Sequence, residues 1–114
     1  YVAIDIKNSK EKYPTTVDLK SVDIDKISNS ISILINSNIE YEFRTTIVKE
    51  LHELSDIISI GEWIKGGKRY YLQAYRDSDD VIKKGFTSYN LAELEVLREA
   101  VLSFVDYVGI RGID

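Results

Sequence analysis

Three pairs of polar side chains, Asp5 with Lys7, Arg44 with Thr46, and Gln73 with Tyr75, are each spaced two residues apart. On an extended strand, residues two apart share a face. If the three segments are parallel strands, the pairs gather at one end of one sheet. A carboxylate, two cations and an amide brought together there form a binding surface for a small polar ligand. A carboxylate accepts from a ribose diol, an ammonium meets a carboxylate, and a guanidinium forks an anion. Each pair also has a bland reading. Asp5 and Lys7 make an exposed ion pair of little worth. Arg44 pairs with Glu42 on its own strand face, and Gln73 is a satisfied core amide.

The elements that would position these pairs follow from hydrophobic periodicity. Tyr1–Lys7 is a short apolar, β-branched run and predicts a buried strand. Asn8–Val22 is polar, holds the only proline, Pro14, and reads as a long loop. Ile24, Ile27, Ile31, Leu34 and Ile35 form one stripe at helical spacing, predicting a helix over about Ile24 to Ser37. Ser21 or Asp23 is its expected cap and Asn38 its stop. A second strand over Glu40–Val48 and a bend over Lys49–Leu54 come next. A helix follows from about Ser55, its expected cap, to Lys65, stopped by Gly66-Gly67. A third strand covers Lys68–Tyr75. Beyond a charged loop, Arg76–Tyr89, a third helix runs from about Leu91 to Phe104 behind Asn90, and a last strand covers Val105–Arg111. The order βαβαβαβ predicts an α/β fold with a parallel sheet and right-handed crossovers. Ligand sites in such sheets and barrels lie at the carboxyl ends of the strands, where the three pairs fall.

The totals limit the function. At 114 residues, with 44% hydrophobic and 30% charged residues, the chain is expected to be a single globular domain. A net charge of −4 with no basic stripe argues against a nucleic-acid surface. No apolar run approaches the ~20 residues of a membrane span and no signal peptide is visible, so a cytoplasmic protein is expected. There is no cysteine, hence no disulfide and no thiolate metal site within these residues. The chain starts on Tyr1 inside a strand-like segment, which reads as a piece of a longer protein.

Four segments in order, Tyr1-Val2-Ala3-Ile4-Asp5-Ile6-Lys7, Tyr41-Glu42-Phe43-Arg44-Thr45-Thr46-Ile47-Val48, Ile60-Gly61-Glu62-Trp63-Ile64-Lys65-Gly66 and Tyr71-Leu72-Gln73, carry a resemblance. The chain resembles the radical S-adenosylmethionine activating enzymes of glycyl-radical enzymes. The activating proteins of anaerobic ribonucleoside-triphosphate reductase are the closest likeness and the pyruvate formate-lyase activases the next. The resemblance implies the C-terminal half of a partial (β/α)6 radical-SAM barrel. It implies S-adenosylmethionine as cofactor, with a [4Fe–4S] cluster in the full-length protein only, on a cysteine triad not found here. In that family the reduced cluster cleaves the cofactor to a 5′-deoxyadenosyl radical, which takes a hydrogen from a glycine of the partner enzyme. The oxidoreductase activity belongs to the whole enzyme, and this chain alone is expected to be inactive, with no catalytic or metal-binding residue of its own.

By resemblance, Asp5 and Lys7 hold the ribose and amino-acid moiety, Arg44 and Thr46 line the same pocket, and Gln73 and Tyr75 lie near the adenine. The partner is a glycyl-radical enzyme, of the anaerobic ribonucleotide reductase or formate-lyase type. Lys49-Glu50 departs from the family, which often has Pro-Gly after the corresponding strand. Two other function classes stay open: a Schiff-base lyase on a partial β/α barrel with Lys7 as nucleophile, and a non-catalytic interaction domain.

Further expectations concern single residues. His52, the only histidine, is expected to face solvent in its bend. Trp63, Tyr70 and Tyr71 are expected to pack in the core or under helices. Asp77, Asp79 and Asp80 are spaced too irregularly for a calcium loop and read as solvated. Tyr1–Ile6 would be an unguarded edge strand, so a homodimer through that edge is expected.

Overall fold

The computed structural model describes residues 1–10, 12, 24–75 and 87–112. Its elements run β1 (Val2–Asp5), α1 (Ile24–Ile35), β2 (Tyr41–Ile47), α2 (Leu54–Trp63), β3 (Arg69–Ala74), α3 (Leu91–Val101) and β4 (Tyr107–Arg111). The four strands form one sheet in the order β1-β2-β3-β4. All three pairings are parallel, with Val2 opposite Tyr41, Phe43 opposite Tyr70, and Tyr70 opposite Val108. The predicted α/β class and element order are therefore present. The caps proposed at Ser21 and Asp23, and the acidic group at Asp77, Asp79 and Asp80, lie outside the described residues.

Strand alternation divides the sheet into two different faces. Ile6, Tyr41, Phe43, Ile47, Tyr70, Leu72 and Val108 point one way and are buried. They join Ile31 and Leu34 of α1, Ile57 and Ile60 of α2, and Leu94, Leu97 and Val101 of α3 in a single core cluster. All three helices therefore cover the same face. Fully burying one such side chain stabilises the fold by roughly 1.5–3 kcal/mol, so this one-sided layer supplies the main driving force. The hydroxyls of Tyr41, Thr45 and Tyr70 are buried with it and each is bonded, Tyr41 accepting from the Lys68 N–H at 3.1 Å. Tyr70 donates to Thr45 Oγ1 at 2.6 Å, and Thr45 donates to the Ile6 carbonyl at 2.7 Å. Burial pushes the Tyr70 phenol far above its ordinary range.

Local chemistry sets the helix ends. Asn90 caps α3 as expected, accepting from the Glu93 N–H at 2.8 Å, and Glu93 completes a reciprocal box by accepting from the Asn90 N–H at 3.0 Å. The start of α2 differs from expectation. Its cap is Glu53, not Ser55, and the Asp56 carboxylate accepts the Glu53 N–H at 2.8 Å. Asp56 sits three residues past the cap, the distance from which a carboxylate reaches back. Gly66 ends α2's final turn at φ 93°, a left-handed position that favours glycine. At the far end, α3 stops at Val101 and β4 begins only at Tyr107. Between them the Phe104 carbonyl accepts from Gly66 N–H at 2.9 Å and Asp106 N–H donates to Gly67 at 3.1 Å, tying this turn to the one after α2. Among the described residues no helix is long and apolar enough to cross a membrane.

Candidate functional site

The face of the sheet away from the helices is polar. Register places its residues in rows across the strands: Glu42 lies opposite Arg69 and Ala3, Asp5 and Tyr71 flank Arg44, and Gln73 lies between Thr46 and Arg111. Asp5, Arg44, Thr46 and Gln73 are thus brought onto one face, as their spacing predicts. Lys7 and Tyr75 lie just past the carboxyl ends of β1 and β3 with the same parity. Thr46 donates to the Gln73 amide oxygen at 3.4 Å.

The charges on this face pair differently from the expectation for Arg44. Arg44 Nε donates to Asp5 Oδ1 at 2.6 Å, and Lys7 Nζ stands 3.8 Å from Asp5 Oδ2. Glu42 is not the partner of Arg44. Residues two apart on one strand are about 6.5–7 Å apart, whereas directly paired residues on neighbouring strands are about 5 Å apart, and Asp5 is the one directly opposite Arg44. The side chains of Lys7, Asp5 and Arg44 are 54%, 44% and 34% exposed, so this triad meets water.

Glu42 instead anchors a second cluster, which spacing along the chain did not reveal. Its carboxylate is 3% exposed and accepts two bonds from Arg111, at 2.7 and 3.1 Å. A third comes from the Tyr1 hydroxyl at 2.7 Å. Burial works to raise the Glu42 carboxyl, but the bonds from Arg111 and Tyr1 outweigh it and hold the group below the ordinary carboxylate range. Arg111 reaches Glu42 by crossing β3, where its guanidinium carbon lies 3.5 Å over the Tyr71 ring. Tyr71 meets Tyr107 edge-on at 5.8 Å between centroids. Gly109, opposite Tyr71, makes room for this arrangement, since a Cβ there would come within 2.8 Å of the Tyr71 ring. Tyr71 is accordingly a half-buried member of the polar face and not of the core. Only the local pattern around Gly109, between Tyr107 and Arg111 on an alternating strand, hinted at a close approach.

His52 departs most from expectation. It is 1% exposed. Its Nε2 lies 2.8 Å from the Lys7 carbonyl and its Nδ1 accepts the Val48 N–H at 3.0 Å. One neutral tautomer satisfies both bonds, with Nε2 protonated and Nδ1 bare. Burial lowers the His52 pKa, against smaller raising effects from the backbone carbonyls and Asp56. The ring therefore ties the end of β1, where Lys7 stands, to the turn after β2. Asn8 reinforces that tie by donating to the Leu51 carbonyl at 2.9 Å, and Lys12 pairs with Asp56 at 3.0 Å.

A separate depression of about 310 Å³ lies on the helical side, lined by Lys10, Ser59, Glu62 and Trp63. Trp63 is half-buried there, donating to Ser28 Oγ at 3.0 Å beneath the Lys10 ammonium. It carries none of the sequence-selected residues. Among the described residues no group of three or more His, Asp or Glu side chains is arranged to hold a metal ion. Comparison of the chain with protein-family models, with curated proteins and with solved structures finds no match in any of the three.

Proposed function

We propose that this chain forms part of a partial (β/α)6 barrel of the radical S-adenosylmethionine class, and that its uncovered sheet face contributes to the cofactor pocket. The carrying observation is the winding. Each crossover steps to the next strand in the same direction, so all helices fall on one face. A doubly wound sheet reverses its direction and buries both faces. Parallel sheets with one polar, uncovered face are exceptional unless that face lines a barrel or cleft.

The donor set suits the ligand. Asp5 presents a half-exposed carboxylate to the ribose hydroxyls, Lys7 and Arg44 present cations to the amino-acid carboxylate, and Thr46, Gln73 and Tyr75 border the base. When bound, S-adenosylmethionine supplies the precursor of a 5′-deoxyadenosyl radical. These residues bind and orient it. With no cysteine in the chain, its own residues do not fit an iron–sulfur cluster, and its contribution is confined to the ligand and to the groove for a glycine loop of a glycyl-radical partner. The lyase reading is weaker, because Lys7 is more than half exposed and lacks the desolvation that activates an amine nucleophile.

Titration of the labelled chain with S-adenosylhomocysteine, followed by amide shifts, tests the proposal. Weak saturable binding that moves Asp5, Lys7, Arg44, Thr46 and Gln73 is expected. Asp5→Ala or Lys7→Ala should weaken it by roughly 1–3 kcal/mol, the range for a lost charged hydrogen bond. Shifts confined to the helical side, or equal affinity in both variants, would refute it.

A further inference from the structure

His52 is a buried titratable ring that ligand binding on the polar face does not use. Both of its ring nitrogens are committed to backbone groups. Nδ1 accepts the buried Val48 N–H at 3.0 Å, and Nε2 lies 2.8 Å from the Lys7 carbonyl. This pairing needs the neutral ring, since an imidazolium has two donors and no acceptor. A proton added at Nδ1 would meet the Val48 N–H head-on and leave that donor without a partner. An alternative acceptor, the Val48 carbonyl, stands 3.2 Å from Nδ1. That oxygen already accepts from the Leu51 N–H at 3.0 Å and the His52 N–H at 2.9 Å, which fills both of its lone pairs. Protonation is therefore not absorbed there by an exchange of partner. It displaces the ring or opens the turn.

The surrounding charges do not compensate. Asp56 of α2 favours the cation and Lys12 opposes it, and these two are paired with each other at 3.0 Å. The Lys7 ammonium is 3.8 Å from Asp5. In the turn, Lys49 pairs with Glu93 and Glu50 accepts from the Thr87 hydroxyl. Tyr89, ahead of α3, donates to the His52 carbonyl at 2.7 Å, and burial raises its phenol, so it stays neutral. Burial is the largest influence on the His52 ring and favours its neutral form. The consequence of losing the ring falls on one place. Lys7 loses its donor, and the neighbouring bond from Asn8 to the Leu51 carbonyl, at 2.9 Å, spans the same turn. Asp5, two residues earlier, is the register partner of Arg44.

We propose that His52 is a proton-operated latch: neutral, it pins the carboxyl end of β1 to the turn after β2, and protonated, it frees Lys7 and the strand end that carries Asp5, so that acid weakens ligand binding at the polar face. That last consequence rests on the pocket reading, whereas the latch itself is a property of the chain without ligand.

The test uses the full chain, labelled with ¹⁵N and ¹³C and free of ligand, titrated by NMR between pH 7.5 and 5. His52 is the only histidine, so its ring signals are unambiguous. They are expected to report the Nε2-protonated tautomer at the upper end and a midpoint below about 6.5, the ordinary imidazole value. The amides of Val48, Lys7 and Asn8 should move with that same midpoint. Protection of the Val48 N–H from exchange should fall about tenfold, the worth of one hydrogen bond, while Trp63 fluorescence keeps its folded value. His52→Gln should abolish the transition at Lys7 and Asn8, and the parent titration decides the matter should that variant fail to fold. A ring that titrates while those amides stay still, a ring that stays neutral to pH 5, amides that move equally in His52→Gln, or loss of the whole fold in step with the ring would each overturn the latch. S-adenosylhomocysteine bound equally well at both ends of the range would overturn its link to the site. Failure of S-adenosylhomocysteine to bind at any pH would sink the pocket reading and leave the latch, measured without ligand, standing.

Discussion

Replacing Arg111 with leucine should both destabilise the fold and reverse one part of its pH dependence. Glu42 is 3% exposed and would keep a single hydrogen-bond donor, the Tyr1 hydroxyl. Removing one partner of a buried ion pair costs about 3–5 kcal/mol. Arg111 is itself 41% exposed, so water can approach the vacated side, and we expect a smaller loss than that, about 2–3 kcal/mol at pH 7. Replacing both Glu42 and Arg111 with leucine should cost less than either single change, since no uncompensated charge remains; a coupling of about 2 kcal/mol is expected. The pH dependence carries the sharper signature. In the parent chain Glu42 is held below its ordinary range. Its stabilisation is therefore complete above about pH 4.3, the unfolded value, and is lost as pH falls through the lower folded value. Without Arg111, burial, the largest single influence on this carboxyl, is opposed only by the Tyr1 bond and the charge of Arg44, and we expect it to place the folded value above the unfolded one. Stability should then fall as pH rises from about 4.3 through the raised value. Urea unfolding followed by the fluorescence of Trp63, the only tryptophan, measures both quantities between pH 4 and 7. A loss under about 1 kcal/mol with an unchanged pH slope would show that the pair is an ordinary surface contact.

His52→Ala should cost about 2–4 kcal/mol, because it removes the partner of the buried Val48 N–H and of the partly buried Lys7 carbonyl. Since burial lowers the His52 pKa, its contribution is present above about pH 6.5 and lost as pH falls through the folded value; the parent should weaken between pH 7.5 and 5 by more than His52→Gln does, measured by urea midpoints. In α2, Gly61→Ala sets a helix-propensity gain of about 1 kcal/mol against a Cβ 2.6 Å from the Phe104 ring. Net destabilisation of about 1 kcal/mol by thermal unfolding is expected, turning to net gain with Phe104→Leu. Among the described residues β1 pairs on one side only, so sedimentation should reveal a concentration-dependent dimer through that edge; Ile4 packs on the core, which makes exposed Ala3→Lys the cleaner disrupting change, and a monomer at high concentration would refute the edge pairing.

The four strands and three helices were legible because each obeys a local rule. Apolar stripes at helical spacing mark α1, α2 and α3, and Asn90 and Gly66 act through their own backbone geometry. The common face of Asp5, Arg44, Thr46 and Gln73 was also legible, since alternation alone decides it. What escaped was set by contacts between segments far apart in sequence. Arg111 meets Glu42 at a separation of 69 residues, and no periodicity links them. Arg44 turned to Asp5 because register, not strand spacing, determines which charges meet. His52 was hidden because its neighbours Lys49, Glu50 and Glu53 give the turn a solvent-facing composition. The ring turns inward to satisfy two backbone groups at the ends of β1 and β2. Glu53 displaced Ser55 as cap because Asp56, not the serine, stands at the reach-back position.

A sheet that advances one strand at a time in a single direction resembles a one-dimensional lattice. Each βα step touches only the step before it and the step after it through the backbone ladder. Such arrays distribute stability as unit terms plus nearest-neighbour terms, so a defect in one unit is felt mainly by the two beside it. The Arg111–Glu42 bond breaks that rule, because it joins β4 to β2 over the top of β3. It is a next-nearest-neighbour coupling in an otherwise local chain. Loosening β4 therefore also uncovers a buried charge two strands away, and an array that could fray one unit at a time gains a reason to open as a block.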